Sequence, residues 1–106
     1  MKFGVLLNAN WPDRVLLAIS TSQLEFYDRV NVEADIIRIA AGTYRFFPKD
    51  TVINLREIVE LPRTEIIESF TCEGRLDEAD MSKIDSKIAA SRLLSRSMKR
   101  RVLGLL

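Results

Sequence analysis

Apolar and polar residues follow two different periods along this chain. Over the first seventy residues, short apolar runs alternate with turn signals such as Pro12, Asp13 and Gly42. These runs cover residues 2–9, 14–20, 24–29, 33–40, 43–47 and 64–70. Apolar residues at alternate positions, such as Leu24 and Phe26, are typical of strands. The pattern predicts about six or seven short strands that form an antiparallel sheet, a small barrel or a roll over residues 1–70.

Residues 51–61 fit two interpretations. Val52, Leu55 and Ile58 match a helical stripe, with Asp50 as N-cap and Pro62 just past the end. The same segment is rich in β-branched residues, which suit one or two strands. We favour strand for that reason.

A helical period begins after Gly74 and continues nearly to the last residue. Asp77 is placed to cap the start of this helix, with Asp80 three residues later, and Gly104 is a plausible end. Its apolar positions fall on one stripe. The stripe consists of Met81, Ile84, Ile88, Leu94, Met98, Val102 and Leu105. The sequence therefore predicts an α+β domain spanning residues 1–106, with one long amphipathic helix over residues 77–104.

The length of this helix raises a geometric problem. About 26 residues at ~1.5 Å each reach ~39 Å, whereas a compact domain of this size is only about 33 Å across. A straight helix would extend beyond its own domain. Either it breaks near Ser91, Ser95 and Ser97, or its stripe packs on another surface, of which a second copy of the chain is the simplest.

Charge is distributed unevenly. Residues 1–70 hold 8 basic and 10 acidic side chains, for a net −2, and residues 71–106 hold 8 and 5, for a net +3. After Asp85 every charged residue is positive. Five basic residues flank the stripe and are candidate phosphate contacts. They are Arg92, Arg96, Lys99, Arg100 and Arg101.

Signs of enzymatic chemistry are nearly absent. The chain has no histidine, which removes the commonest general base and most zinc sites, and its four glycines are too scattered for a phosphate loop. The pairs Glu57/Glu60 and Glu65/Glu68 are interpreted as solvated faces. We therefore expect no catalytic residues, cofactor or metal ion.

The setting expected from the sequence is the reducing cytoplasm. Cys72 is the only cysteine, so no internal disulfide can form, and we find no secretory signal. The longest internal apolar run, residues 15–19, is too short to be a transmembrane segment. The stripe lacks an aromatic anchor, so binding to a membrane surface is not expected.

Two functions follow as hypotheses. The leading one is a non-catalytic binding or regulatory protein whose C-terminal helix mediates self-association, as a homodimer, or docks on a protein partner. The alternative is a DNA- or RNA-binding protein that uses the Arg/Lys flank of the same helix.

Overall fold

The computed structural model describes residues 3–8, 14–29 and 32–103. Its fold is α+β, with a curled antiparallel sheet of four strands in the order β1-β2-β4-β3. The strands are β1 (Phe3–Asn8), β2 (Arg14–Thr21), β3 (Ile36–Ile39) and β4 (Thr51–Pro62). The helices are α1 (Glu25–Arg29), α2 (Arg63–Ser69), α3 (Glu78–Ala90) and α4 (Arg96–Leu103), with a 3-10 turn at Glu33–Asp35. The α+β class and the antiparallel sheet are thus confirmed.

The curl of the sheet comes from β4, its longest strand. Leu17 of β2 pairs with Val59, and Ile19 pairs with Asn54. Between these two pairs β2 advances by two residues (19 − 17) while β4 covers five (59 − 54). The extra residues form a bulge, which bends the strand and increases its twist.

Side chains on the two faces of the sheet belong to two apolar clusters. The main cluster includes Ile37 and Ile53 and is covered by α3 and α4. The second contains Ile36 and Val52, with Tyr27 of α1 packed on it. Because successive residues of a strand point to opposite faces, the sheet is buried on both sides at Ile36 and Ile37 of β3 and at Val52 and Ile53 of β4, which explains these adjacent apolar residues.

Three of the predicted strands are wrong. Residues 24–29 lie mainly in α1, 64–70 mainly in α2, and 43–47 form a turn with one isolated bridge between Tyr44 and Phe47. Leu24, just before α1, and Tyr27 within it both reach the second cluster, which is helical spacing and not alternation. In the turn, the rings of the adjacent residues Phe46 and Phe47 meet with centroids 4.8 Å apart, whereas a strand would point them to opposite faces.

The segment at 51–61 is a strand, as favoured above. The remaining predicted strands correspond to β1, β2 and β3, although β3 begins only at Ile36. The described part of the sheet therefore has four strands instead of about six or seven.

The prediction of one continuous helix over residues 77–104 is also wrong. Ser91 is extended (φ −61°, ψ 136°), and its Oγ accepts hydrogen bonds from the backbone N–H groups of Leu93 and Leu94 at 3.1 and 3.2 Å. Ser95 then caps α4, since its Oγ accepts from the Met98 N–H at 3.0 Å. Of the two alternatives left open by the length of the helix, the structure shows the break near the serines. The chain folds back so that α4 packs against β1 and α3, and none of the helices described by the structure extends beyond the domain.

The start of α3 is fixed by a tyrosine from the turn at residues 43–47, which we call the aromatic turn. Asp77 caps the helix as predicted, accepting from the Asp80 N–H at 2.8 Å. The Tyr44 hydroxyl donates to Asp80 Oδ2 and accepts from the Asp77 N–H at 3.0 Å. Burial, together with the hydrogen bond to Asp80, raises the pKa of Tyr44 to about 12.

Tyr44→Phe is expected to lower the free energy of unfolding by about 2 kcal/mol at neutral pH, because the buried Asp80 loses a charge-assisted partner. Since the folded-state pKa of Tyr44 is raised, its contribution is complete below pH ~10 and is lost as pH rises towards 12. The variant should therefore lose less stability than the natural protein over that range. Urea unfolding at pH 7 and at pH 10–11 measures both effects, with Tyr27→Phe as the control. An equal alkaline loss in the natural protein and in Tyr44→Phe would contradict this prediction.

Candidate functional site

The C-terminal helix α4 has one apolar side and one basic side. Val102 is buried in the main cluster and Met98, one turn earlier, packs against it. The remaining positions carry four basic residues and no acidic one. Helical spacing thus turns the apolar residues towards the sheet and leaves the basic ones outside.

The structure divides the five predicted phosphate contacts into two groups. Arg92, Arg96 and Arg100 are exposed and form no ion pair within the described parts of the chain. Lys99 is half-buried and donates from Nζ to the Ala89 carbonyl oxygen at 3.2 Å. Arg101 is half-buried and pairs with Glu60 of β4. We call Arg92, Arg96 and Arg100 the basic surface.

The break between α3 and α4 changes the electrostatic interpretation of these arginines. In one continuous helix they would lie near its C-terminal end, where the macrodipole favours cations. Arg96 is instead the first residue of α4, and Arg92 precedes it. At a helix start a positive charge is unfavourable by some tenths of a kcal/mol. Helix stability therefore does not account for Arg96, whereas Arg92 lies just after the end of α3.

The serine hydrogen bonds hold the segment 91–95 in a defined shape, although it is not helical. Leu94 points inward to the main cluster, whereas Leu93 is 56% exposed between Arg92 and Arg96. Arg96 and Arg100 are four residues apart on α4, a spacing that puts their Cβ atoms about 5–6 Å apart. Leu93 was missed by the sequence analysis because it falls outside the apolar stripe.

The apolar stripe lies largely in the chain's own core. Ile84 and Ile88 are 0% exposed and Val102 is buried beside them. Met81, Leu94 and Met98 are partly buried against the same cluster. Leu105 lies outside the described residues. While α3 and α4 remain packed on the sheet, the buried members of the stripe are not accessible to a partner.

Several acidic side chains serve the fold. Glu60 pairs with Arg101, Asp77 and Asp80 organise the start of α3, and hydrogen bonding from Arg38 lowers the pKa of Glu33. Glu57, Glu65 and Glu68 are exposed. Over residues 3–8, 14–29 and 32–103, no three Cys, Asp or Glu side chains form a group suited to a metal ion.

Comparisons with known proteins do not identify a relative. No family model matches this chain, and searches of curated proteins and of solved structures find no significant match. Among the helices that the structure describes, none has both the length and the apolar character needed to cross a membrane. Any functional assignment therefore rests on the surfaces themselves.

Proposed function

We propose that this protein is a non-catalytic nucleic-acid-binding domain that contacts phosphates through the basic surface. The observation that supports this best is that Arg92, Arg96 and Arg100 are exposed and unpaired among the described residues, and that helix stability does not account for Arg96 at the start of α4. A partner that supplies several phosphates would satisfy all three guanidinium groups at once.

The chemistry of the surface favours sequence-independent binding. A guanidinium group presents a fork of donors that matches two phosphate oxygens. Contacts to phosphate fix the position of a protein on a nucleic acid, but they do not read its sequence. Arg101 pairs with Glu60, and Lys99 donates to a carbonyl oxygen at the end of α3. We therefore leave both residues out of the proposed phosphate contacts.

Three phosphate contacts predict a definite salt dependence. On duplex DNA, log K should fall against log salt concentration with a slope of about −2.7, so that affinity drops about 40-fold between 50 and 200 mM salt. The triple variant Arg92→Gln, Arg96→Gln, Arg100→Gln should lose nearly all of this slope. Fluorescence anisotropy with a labelled duplex, repeated over a salt series, measures it.

A second triple variant controls for net charge. Arg45, Lys49 and Arg75 are exposed and lie outside the C-terminal segment, and replacing all three by Gln also changes the net charge from +1 to −2 (1 − 3). This control should keep the natural slope. Equal losses in the two triple variants, or an affinity that is indifferent to salt in the natural protein, would refute the proposal.

The second candidate function is self-association or docking on a protein partner through the C-terminal region. Leu93, together with the half-buried Leu94 and Met98, supports it, because these side chains place apolar surface next to the arginines. The molar mass of the pure protein in solution, with its absorbance ratio for co-purified nucleic acid, distinguishes a homodimer from a nucleic-acid complex.

A further inference from the structure

A cleft of about 330 Å³ opens between α1 and the sheet. Its volume is at the lower end of the range for small-molecule sites. The lining residues are Ile19, Ser20, Thr21, Gln23, Phe26, Tyr27 and Asn54. None of them is acidic, and none belongs to the basic surface on α4.

Hydrogen-bond donors without a partner gather around this cleft. Asn54 Oδ1 accepts from the backbone N–H of Arg56 at 2.9 Å, which leaves the amide NH₂ of Asn54 available to donate. The side-chain amide of Gln23 makes no hydrogen bond within the described residues. Arg56 forms no ion pair there, and its Nε is buried without a partner. Arg56 does not line the cleft but lies over the Phe26 ring at its edge. Two amides and one cation therefore have donor groups that no described protein group uses, a combination that favours an anion.

An aromatic side chain forms the apolar wall of the cleft. Phe26 is 47% exposed, and the Arg56 guanidinium carbon lies 5.5 Å from the centre of its ring. Tyr27 supports Phe26, because the two rings meet edge to face with their centroids 5.3 Å apart and their planes at 89°. A flat ring bound beside Phe26 would cover apolar surface that is otherwise in water.

Hydrogen bonds within the chain hold the walls of the cleft in place. Arg38 of β3 donates to Asp28 Oδ1 and to the Tyr27 carbonyl oxygen, both at 3.0 Å, which ties α1 to the sheet. The Gln23 N–H donates to Thr21 Oγ1 at 3.1 Å and fixes the turn before α1. Such preorganisation reduces the entropy lost on binding.

We infer that this cleft binds a ligand in which an aromatic ring and a carboxylate lie close together. The ring packs against Phe26, and the carboxylate accepts hydrogen bonds from Arg56 and from the amides of Gln23 and Asn54. Two sources share this chemistry, a free aromatic acid and the C-terminal aromatic residue of a peptide. The inference does not depend on nucleic-acid binding, because none of these residues belongs to the basic surface.

The test uses ¹⁵N-labelled full-length protein and titration by NMR. Gln23 is the only glutamine in the chain, so its side-chain NH₂ signals are identified directly. Benzoate is expected to give saturable shifts at Gln23 and Asn54, whereas benzamide and acetate should bind about tenfold more weakly or worse, because each lacks one half of the recognised group. Equal affinities for benzoate and benzamide, or shifts confined to other residues, would overturn the inference.

Variants assign the binding to named side chains. Arg56→Gln should weaken benzoate binding about tenfold or more, and Phe26→Leu should weaken it while Phe70→Leu, which changes another half-exposed ring, should not. Gln23 is exposed, so Gln23→Ala gives a result even where Arg56→Gln does not fold. Unchanged affinity in Gln23→Ala and Phe26→Leu would refute the site.

A peptide ending in Phe distinguishes the two sources of the ligand. If it binds as its free acid and not as its amide, and more tightly than benzoate, the source is a chain terminus. If benzoate binds more tightly than the peptide, the source is a free acid.

Discussion

Ile88→Ala is expected to lower the free energy of unfolding by about 4 kcal/mol without changing the number of chains in the folded particle. Ile88 is 0% exposed and lies in the main cluster with Ile84 and Val102. Truncation removes buried apolar volume and leaves a cavity, because the four strands and two helices around it cannot all move inward. This result is expected because Ile88 lies in the core of a single chain and not in an interface between two chains.

Urea unfolding at several protein concentrations measures this prediction. The midpoint should not depend on concentration in either the natural protein or the variant, since a folded monomer unfolds without dissociation. Leu93→Ala is the matched control, because Leu93 is the exposed apolar residue of the same region, and it should change stability by less than about 0.5 kcal/mol. A midpoint that rises with concentration in the natural protein, and no longer does so in Ile88→Ala, would instead place Ile88 in an interface between copies.

The two outcomes of that experiment matter because the sequence alone cannot separate them. A stripe at helical spacing identifies the side of a helix that is removed from water, and it does not identify what covers that side. The answer depended on the serines at 91 and 95, whose side chains satisfy backbone N–H groups and allow the chain to turn. Once the chain turns, α4 can reach β1, and the domain covers its own stripe.

The fold could be predicted where several consecutive residues carried the same period. β1 and β2 are such segments, whereas the residues of β4 fit both a helix and a strand and are assigned to a strand because many are β-branched. The helices α1 and α2 have only five and seven residues, and over that length a period of two and a period of 3.6 are difficult to tell apart. In α2 the decision is tertiary, since Ile66 is half-buried whereas the adjacent Ile67 is 72% exposed.

The sequence predicts that the candidate site is basic, but it does not predict which of the basic residues are available to a ligand. The sequence placed five basic residues beside the stripe, and three remain available. Arg101 is removed by Glu60, which is 41 residues earlier in the chain, and no local pattern links the two. The cleft beside Phe26 was not predicted for the same reason, because the bulge in β4 is what sets Asn54 opposite Ile19 and brings Arg56 over the ring.

The second large effect is expected at Gly74, in the segment between α2 and α3. Its φ is +154°, a conformation that residues with a side chain rarely adopt, and a Cβ atom added there would lie 2.7 Å from Cε1 of Phe46. Phe46 cannot easily move away, since its ring stacks on Tyr44 and meets Phe47 edge-on at 4.8 Å. Gly74→Ala should therefore lower the free energy of unfolding by about 3 kcal/mol, from backbone strain and overpacking together.

Gly42→Ala separates these two contributions. Gly42 also has a positive φ, +77°, but an added Cβ would meet nothing within 4 Å, so only the strain of about 1–2 kcal/mol remains. Phe46→Leu combined with Gly74→Ala completes a double-mutant cycle, and the loss at Gly74 should be smaller in that background because the shorter side chain gives way. Equal losses for the two alanine variants, with no coupling to Phe46, would show that strain alone limits position 74. A larger loss for Gly74→Ala than for Gly42→Ala, coupled to Phe46, assigns the difference to the contact between position 74 and Phe46. That contact joins the aromatic turn to the segment before α3, and Tyr44 of the same turn binds the first residues of that helix.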